Sequence, residues 1–464
     1  VPEVVPWGDR VMDEQRYLAR SPMPVPARAL FDWHARPGAF ERLNPPFDRV
    51  EVLERTGGIA PGARTVLRVH LGLVPRRWIA LHTAMDDGRS FTDRQESGPF
   101  ARWEQVHRML PDGETRSVLE DDVRYALPLG PVGRLATGMV RETLESIFAY
   151  RHALTAADLA RHAELPGQPL RVGITGSHGL IGDALALFLT TGGHAVTRLG
   201  RGEKAGEVDG LDAVVNLAGA GVGDGRWTAA RKRDIRESRI RTTDAVVAGI
   251  LRASRRPSVL VNGSAMGFYG DRGETPVDES SSRGTGFLAD VAEAWEAATR
   301  PAEQAGVRVV KLRTGVVLSP DGGALGKMLP LFRAGVGGKL GSGRQLFSWI
   351  ALEDVVGAIH FALRSPSFHG VANLTAPEPV TNAAFTHVLG RVLHRPTIAA
   401  VPAAAIRALF GEMGQESVLS GANVVPRALL DAGFRFRWPG LEDALRFCLG
   451  KVRLPSAVSG DFPA

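Results

Sequence analysis

The chain has 464 residues, 44% of them hydrophobic and 23% charged, with a formal net charge of +6 and one cysteine. That length exceeds a single hydrophobic core and predicts roughly two to four domains, while Cys448 alone excludes an internal disulfide or a multi-thiolate metal site and fits a reducing compartment. No apolar run reaches the roughly 18 residues of a membrane span, and Val1 to Trp7 lacks the pattern of a signal peptide, so a cytoplasmic protein with no membrane span is expected.

Residues 1–165 read as one α+β unit. A short helical segment near Ala27 to Phe40 precedes strand-like runs at Arg49–Glu54, Thr65–Leu71, Trp78–Asp86, Ser90–Glu96, Ala101–Met109 and Thr115–Ala126. Turns such as Asp86-Asp-Gly88, Ser97-Gly-Pro99 and Pro111-Asp-Gly113 separate these runs, the spacing of an antiparallel meander. Leu135, Met139, Leu144, Ile147 and Phe148 recur at helical spacing, predicting a long helix from Gly133 to about Ala163 that lays one apolar stripe on the sheet. His70, His82 and His107 fall on neighbouring strands, but no carboxylate or thiolate spacing accompanies them and no metal centre is expected.

The string Phe91-Thr-Asp-Arg-Gln-Glu-Ser-Gly-Pro-Phe-Ala-Arg-Trp-Glu-Gln-Val-His107, followed by Tyr125-Ala-Leu-Pro-Leu-Gly130, resembles the START-like (polyketide-cyclase/SRPBCC) helix-grip domain. The resemblance implies an apolar cavity between sheet and helix. Two readings stay open: a pocket for a hydrophobic small molecule, or a packed unit whose cavity is vestigial.

A linker over Ala156–Pro169 ends in Pro166-Gly-Gln-Pro169, and from Leu170 strands and helices alternate. Strands are predicted at Arg171–Thr175, His194–Leu199, Ala213–Leu217, Ser258–Ser264 and Arg308–Leu318, with helices at Asp183–Thr190, Trp227–Arg252 and Phe287–Ala305. This is the pattern of an α/β Rossmann unit, a doubly wound parallel sheet, over residues 170–365. Residues 366–450, with helices at Asn382–Leu393, Pro402–Phe410 and Pro426–Ala432, read as a small, mostly helical C-terminal cap over the carboxyl edge of the sheet, and 451–464 as a tail.

Leu170-Arg-Val-Gly-Ile-Thr-Gly-Ser-His-Gly-Leu-Ile-Gly182 is an apolar strand running through a glycine turn into a helix, the pattern of a dinucleotide site. Thr175 ends the strand. Gly176 turns the chain, Gly179 lets the backbone approach a diphosphate, and Gly182 lets helix pack on strand; the helix from Asp183 aims its unpaired N–H groups at the phosphates, and Leu180 and Ile181 of the turn are counted as cofactor-binding with the glycines. Asn216, Ala218 and Gly219 end the third strand, where small residues let a nucleotide lie close, and Arg313 and Thr314 end another. The second strand, His194-Ala-Val-Thr-Arg-Leu-Gly-Arg201, carries no acidic residue for a ribose 2′-hydroxyl but two arginines, so NADP(H) is expected over NAD(H). The planar fork of Arg201 suits a 2′-phosphate, and an ordinary surface role is more credible for Arg198 than for Arg201. In Gly335–Gly343, Lys339 is followed by Leu340, which departs from a nucleotide-triphosphate loop. The basic cluster Arg231–Arg241 is interrupted by acids and lacks interleaved aromatics, so a solvated helix face, not nucleic acid, is expected there.

Val215-Asn-Leu-Ala-Gly219, Arg226-Trp-Thr, Ile235–Thr243, Gly267-Phe-Tyr-Gly-Asp-Arg-Gly273, Leu312–Leu318, Gly341-Ser-Gly-Arg-Gln345 and Ser348-Trp-Ile350 are similar to the epimerase-like atypical subgroup of the short-chain dehydrogenase/reductase superfamily, the NAD-dependent epimerase/dehydratase family. Members carry a C-terminal domain of unknown function, and some carry the START-like domain in front. Arg201 matches the family's arginine. The family's catalytic Tyr and Lys fall on Phe287 and Val291, which transfer no proton, and Tyr269 is followed four residues on by Gly273. Ser264 and Tyr269 are therefore the candidate catalytic residues, Asp271 and Glu293 weaker bases, and Arg344, Gln345, Ser348 and Trp349 the candidate substrate side. The resemblance implies an NADP(H)-dependent oxidoreductase of the epimerase/dehydratase type acting on an unidentified small molecule; the alternative is a catalytically silent NADP(H) sensor or scaffold.

Overall fold

A computed structural model describes residues 14–48, 50–71, 74–128 and 136–454. The chain divides into two compact units, 1–160 with 452–464, and 161–451.

In the first unit, β1 (Gln15–Met23), β2 (Val50–Arg55), β3 (Arg64–Leu71), β4 (Val74–Asp86), β5 (Ser90–Ser97), β6 (Arg102–Asp112) and β7 (Arg116–Ala126) form one antiparallel sheet in the order β1-β7-β6-β5-β4-β3-β2. Helices α1 (Ala27–Ala35) and α2 (Ala39–Arg42) follow β1, and α3 (Thr137–Glu164) follows β7. Sequence reading lacks β1. That strand pairs with β7 from Gln15↔Tyr125 to Met23↔Ser117, burying Tyr17, Ala19, Ser21 and Met23 at every second position. Leu144 and Phe148 of α3 pack with Tyr17, Trp103, Val123 and Tyr125, and Leu159 with Met23, Phe91, Met109 and Leu119. Met139, expected in that stripe, is 73% exposed near the helix start; Gly133, Leu135 and Trp7 lie outside the described residues.

In the second unit, β8 (Arg171–Thr175), α4 (Leu180–Thr191), β9 (Ala195–Arg198), β10 (Ala213–Asn216), α5 (Ala229–Arg252), β11 (Val259–Ala265), α6 (Phe287–Ala297), β12 (Arg308–Thr314), α7 (Leu352–Arg364) and β13 (Gly370–Leu374) build a parallel sheet covered on both faces. The strand order is β13-β12-β11-β10-β8-β9. Val215, Val261 and Val310 face Leu185, Leu189, Val355 and Ile359, while their neighbours Val214, Leu260 and Val309 face Val246 and Ile250. Chain order reverses between β8 and β10, which opens a crevice at their carboxyl ends.

Three differences from the sequence reading have local causes. The helix expected to run to Ala305 breaks after Ala297 and restarts at Arg300–Gln304, with Pro301 in its first turn. The strand expected to run to Leu318 breaks at Gly315, where a Cβ would meet Ser348 O at 2.6 Å, and Val316–Leu318 pairs instead with Trp349–Ala351. The sixth strand, β13, lies beyond residue 365, in the segment read as cap; five residues are too few for periodicity to separate strand from helix. The helices at Asn382–Leu393, Ala403–Phe410 and Leu441–Cys448 supply the mostly helical C-terminal part. Among the described residues no helix is long and apolar enough to cross a membrane.

Candidate functional site

Thr175 ends β8 with its hydroxyl donating to Asn216 Oδ1 (2.6 Å) and accepting from the Leu217 and Ala218 N–H groups (3.2 and 3.3 Å). Asn216 in turn donates to Thr243 Oγ1 (2.9 Å) and Asn262 Oδ1 (2.7 Å), and Trp295 Nε1 donates to the same Thr243 hydroxyl (3.0 Å). These fully buried side chains lock the ends of β8, β10 and β11 against α5 and α6. Asn216 thus shapes the floor of the crevice with its side chain wholly engaged.

Gly176 takes φ +65°, and a Cβ there would sit 2.9 Å from the Leu217 carbonyl carbon. At Gly182 a Cβ would fall 2.2 Å from Gly176 O. Close contact of the loop with the end of β10 therefore requires glycine at 176, and close contact of the helix with the loop requires it at 182. The first intrahelical bond of α4 runs from Asp183 N to Gly179 O (2.9 Å), so the N–H groups of Leu180, Ile181 and Gly182 point out of the helix start without intrahelical acceptors. Within this loop, buried Ser177 Oγ has no hydrogen-bond partner among the described residues. Three outward N–H groups at the positive end of a helix form an anion cradle.

The two arginines of the second strand separate by role. Arg198 donates to Ser177 O and to Asp183 Oδ1 (2.8 Å), bracing the glycine loop. Arg201 is exposed just beyond β9 and forms no ion pair among the described residues. At Gly219 a Cβ would meet the Arg239 guanidinium at 2.9 Å, and Arg239 itself is tied to Ala220 O and Ile235 O. Much of the basic cluster on α5 is spent internally: Arg231 binds Asp224 and Asp234, and Lys232 binds Glu412.

A second polar chain crosses the carboxyl ends of β11, β12 and β13. Ser264 donates to Glu296 Oε1 (2.7 Å), Arg313 grips both Glu296 oxygens (2.8 and 2.9 Å), and Arg313 Nη1 donates to Tyr269 OH (3.0 Å), which donates to Asn373 Oδ1 (2.8 Å). Arg313, expected at the cofactor, is thus engaged by Glu296 and Tyr269, and its guanidinium lies 3.4 Å from the centre of the Phe268 ring. Tyr269 is fully buried, and burial raises its phenol above the ordinary value against the pull of Arg313. The structure brings Ser264 and Tyr269 into one network but leaves the phenol no spare proton to exchange near neutrality.

The remaining candidates scatter. Asp271 Oδ1 takes the Gly273 N–H of its own loop and the Gly421 N–H of the C-terminal segment, and Glu293 pairs with Arg283 at the surface. Phe287 lies against Trp227 (4.9 Å between centroids) beneath the Lys232 ammonium, and Val291 is core. Ser348 donates to Ala422 O and Gln345 to Leu340 O and Val418 O, Trp349 is buried, and of that set only Arg344 is exposed. Sequence reasoning missed Glu296, Asn373 and Glu279. Burial pushes the Glu279 carboxyl upward; one of its oxygens takes the Asn373 N–H (2.8 Å) and the other is buried without a partner among the described residues.

In the first unit, Trp78, Phe100, Trp103 and Tyr125 form an aromatic cluster with centroids 4.9–6.3 Å apart. Next to Phe91, Asp121 receives His107, His152 Nε2 (2.7 Å) and Gln105 Nε2 (3.1 Å), and His152 Nδ1 meets Ser21 Oγ (2.9 Å). The strand histidine His107 is therefore one of a set bound to carboxylates, Asp93 being its second partner (3.3 Å).

The NAD dependent epimerase/dehydratase family matches residues 172–374, the polyketide cyclase/dehydrase and lipid transport family 23–148, and a domain of unknown function 401–448. The chain is similar to Epimerase family protein Mb2239 of Mycobacterium bovis, 46% identical over 60% of this chain and 96% of that relative. A nucleoside-diphosphate sugar epimerase structure from Corynebacterium glutamicum is 31% identical, with TM-score 0.76 over 94% of this chain and 91% of that one. Human SDR39U1 isoform 2, solved with NADPH, is 34% identical, with TM-score 0.58 over 61% of this chain and 100% of that one. With 46% identity along nearly the whole of one relative, and a shared fold across almost all of this chain in another, the protein belongs to the NAD-dependent epimerase/dehydratase family and carries a polyketide-cyclase-like unit in front of its Rossmann unit.

Proposed function

We propose that the second unit is an NADP(H)-dependent oxidoreductase that acts on a small-molecule carbonyl or carbinol at the carboxyl ends of β11 and β12. The observation that carries this is the glycine cradle after β8, together with an exposed Arg201 just past β9, the strand that pairs with β8, which forms no ion pair among the described residues. Leu180, Ile181 and Gly182 N–H groups would hold the diphosphate, and Arg201 the 2′-phosphate. The coenzyme, when bound, would supply a hydride as NADPH or accept one as NADP+. Ser264, held by donating to Glu296, whose carboxylate Arg313 grips, would orient a carbinol by accepting its O–H through a free lone pair, the proton released on oxidation passing to water and returning from it on reduction. Tyr269 is a positioning residue that holds Arg313 against Glu296. Residues 366–450 would complete the substrate side, and the aromatic interior of the 1–165 unit would take a hydrophobic small molecule.

Arg201→Glu is expected to weaken NADPH binding by about 10- to 100-fold, as lost charge-assisted bonds are worth roughly 1.5–3 kcal/mol, and to leave NADH binding unchanged. Isothermal titration with both coenzymes checks this. For turnover, NADPH absorbance is followed against a panel of carbonyl compounds. Ser264→Ala is expected to lower kcat by about 100-fold, and Tyr269→Phe by about tenfold, with a drop in stability near 1 kcal/mol. A second reading is favoured by Phe287 and Val291 standing where the family's Tyr and Lys would stand: a sensor of the NADPH/NADP ratio. Tight coenzyme binding with no turnover across the panel would favour that reading.

A further inference from the structure

The amino-terminal edge of the parallel sheet carries a histidine cluster that the proposed reaction does not use. His162 lies near the end of α3, His194 directly precedes β9, and His360 lies in the second half of α7. One ring nitrogen from each falls within 4.8 Å of the other two. The ring centroids are 5.1 Å (His162–His360), 5.8 Å (His194–His360) and 6.1 Å (His162–His194) apart.

Three observations make this more than a chance meeting of rings. His360 is 1% exposed, and neither of its ring nitrogens has a hydrogen-bond partner among the described residues. A dry imidazole with both nitrogens unpaired is costly unless something else takes a lone pair. His162 Nε2 donates to Phe188 O (3.2 Å) while its ring stacks on Phe188 (4.2 Å), which puts the proton on Nε2 and fixes the ring's orientation. A carbonyl behind the distal nitrogen is how metal-bound histidines are oriented. Gly192 makes room for this ring, since a Cβ there would fall 2.1 Å from His162 Cε1.

We propose that His162, His194 and His360 form a three-imidazole site for a borderline divalent transition metal, of which zinc is the reference case, with the fourth position left to water. The donor set selects the metal class: the cluster offers imidazole nitrogens and no carboxylate, which disfavours magnesium and calcium. The cations near His360 are Arg161 and Arg364. Arg161 is neutralised by Asp354, and Arg364 donates to Gln168 O and Gly167 O. His194 Nδ1 accepts the Leu170 N–H (3.0 Å), so its proton sits on Nε2; ligation through Nε2 moves that proton to Nδ1 and gives up the Leu170 contact. The site lies a full strand from the glycine cradle, about 16 Å at 3.3 Å per residue along β8, so the ion would tie the chain at His162 to β9 and α7, all within the second unit, without touching the coenzyme.

The test uses full-length protein stripped with a chelator and titrated with zinc chloride by calorimetry, and separately with cobalt(II) by absorption. A single equivalent of zinc and an intense tetrahedral cobalt spectrum are expected. His360→Ala and His162→Phe should each weaken zinc binding by more than about 100-fold, while His369→Ala on the exposed loop after α7 leaves it unchanged. Circular dichroism verifies that each variant is folded. No uptake by the wild-type protein, a cobalt spectrum like that of the aqueous ion, or unchanged zinc binding in folded His162→Phe would overturn the site.

Discussion

Gly182→Val is expected to cut NADPH binding by at least about 100-fold, with Gly182→Ala already showing most of the loss. The added Cβ would lie 2.2 Å from Gly176 O, 2.8 Å from Gly176 C and 2.9 Å from Ser177 Cα. All three are backbone atoms, so no side chain can swing aside. Relief requires the first turn of α4 to move away from the loop, which costs about 1–3 kcal/mol in overpacking. The same movement turns the Leu180 and Ile181 N–H groups away from the diphosphate, adding a loss of about 1 kcal/mol or more for each bond broken. Fluorescence titration with NADPH reads the lost bonds, and thermal unfolding without coenzyme reads the overpacking. Gly113→Ala is the control: it sits in a hairpin of the first unit at φ +76° with open space around it, so it strains its own turn and leaves coenzyme binding untouched. If Gly182→Ala bound NADPH as tightly as the wild type, the cradle would not be the diphosphate site.

How legible this architecture is from sequence follows from how local each signal is. The glycine motif is legible because strand, turn and helix start are consecutive and the spacing of Gly176, Gly179 and Gly182 encodes a steric requirement the structure bears out at Gly182. The meander and the long helix are legible because six strands and their turns repeat in one stretch. β1 was missed although Tyr17, Ala19, Ser21 and Met23 alternate cleanly, because its partner β7 lies about a hundred residues away and its outward face carries Arg16 and Arg20, whose partners Asp122 and Glu120 are invisible locally. Glu296 was missed for a related reason. Ala289, Ala292, Trp295 and Thr299 mark the buried face of the helix and the turn after it, and Glu296 falls four residues after Ala292 beside that face, whereas Glu293 turns to Arg283. That register was available in the sequence. Its meaning was not, since it depends on Arg313 arriving from another strand to neutralise the carboxylate. The three-histidine cluster is the extreme case, assembled from positions up to 198 residues apart with no common spacing.

Raising the pH from 6.5 to 9 should lower the stability of the first unit by about 2–4 kcal/mol, a fall of several degrees in its melting temperature. The cause is the Asp121 cluster. Burial by itself would lower His107, but the Asp121 charge and hydrogen bond, reinforced by Asp93, raise it to about 9. Burial likewise opposes ionisation of Asp121, and there the charge and hydrogen bonds of His107 and His152 win, holding the carboxyl well below its ordinary value. For a group raised on folding, the stabilisation is complete below the unfolded value near 6.5 and disappears as pH climbs through the folded value near 9. For the depressed carboxyl it is present above the ordinary carboxylate value and disappears as pH falls through the lower folded one. The pair therefore stabilises most between about pH 4 and 6.5. His34, which burial lowers to about 4, and His82, lowered by burial, are both neutral across the alkaline window and add nothing to it. Calorimetry of the full-length protein resolves the effect, because NADPH raises the transition of the second unit and marks the other as the first. His107→Gln should be less stable at pH 6 and flat between 6.5 and 9. Asp121→Asn, which strands two imidazoles that shared one buried carboxylate, should cost about 3–5 kcal/mol at pH 6. A first-unit transition equally stable at pH 6.5 and 9 in the wild type, or an alkaline slope that survives in His107→Gln, would show that this cluster does not carry the charge assigned to it.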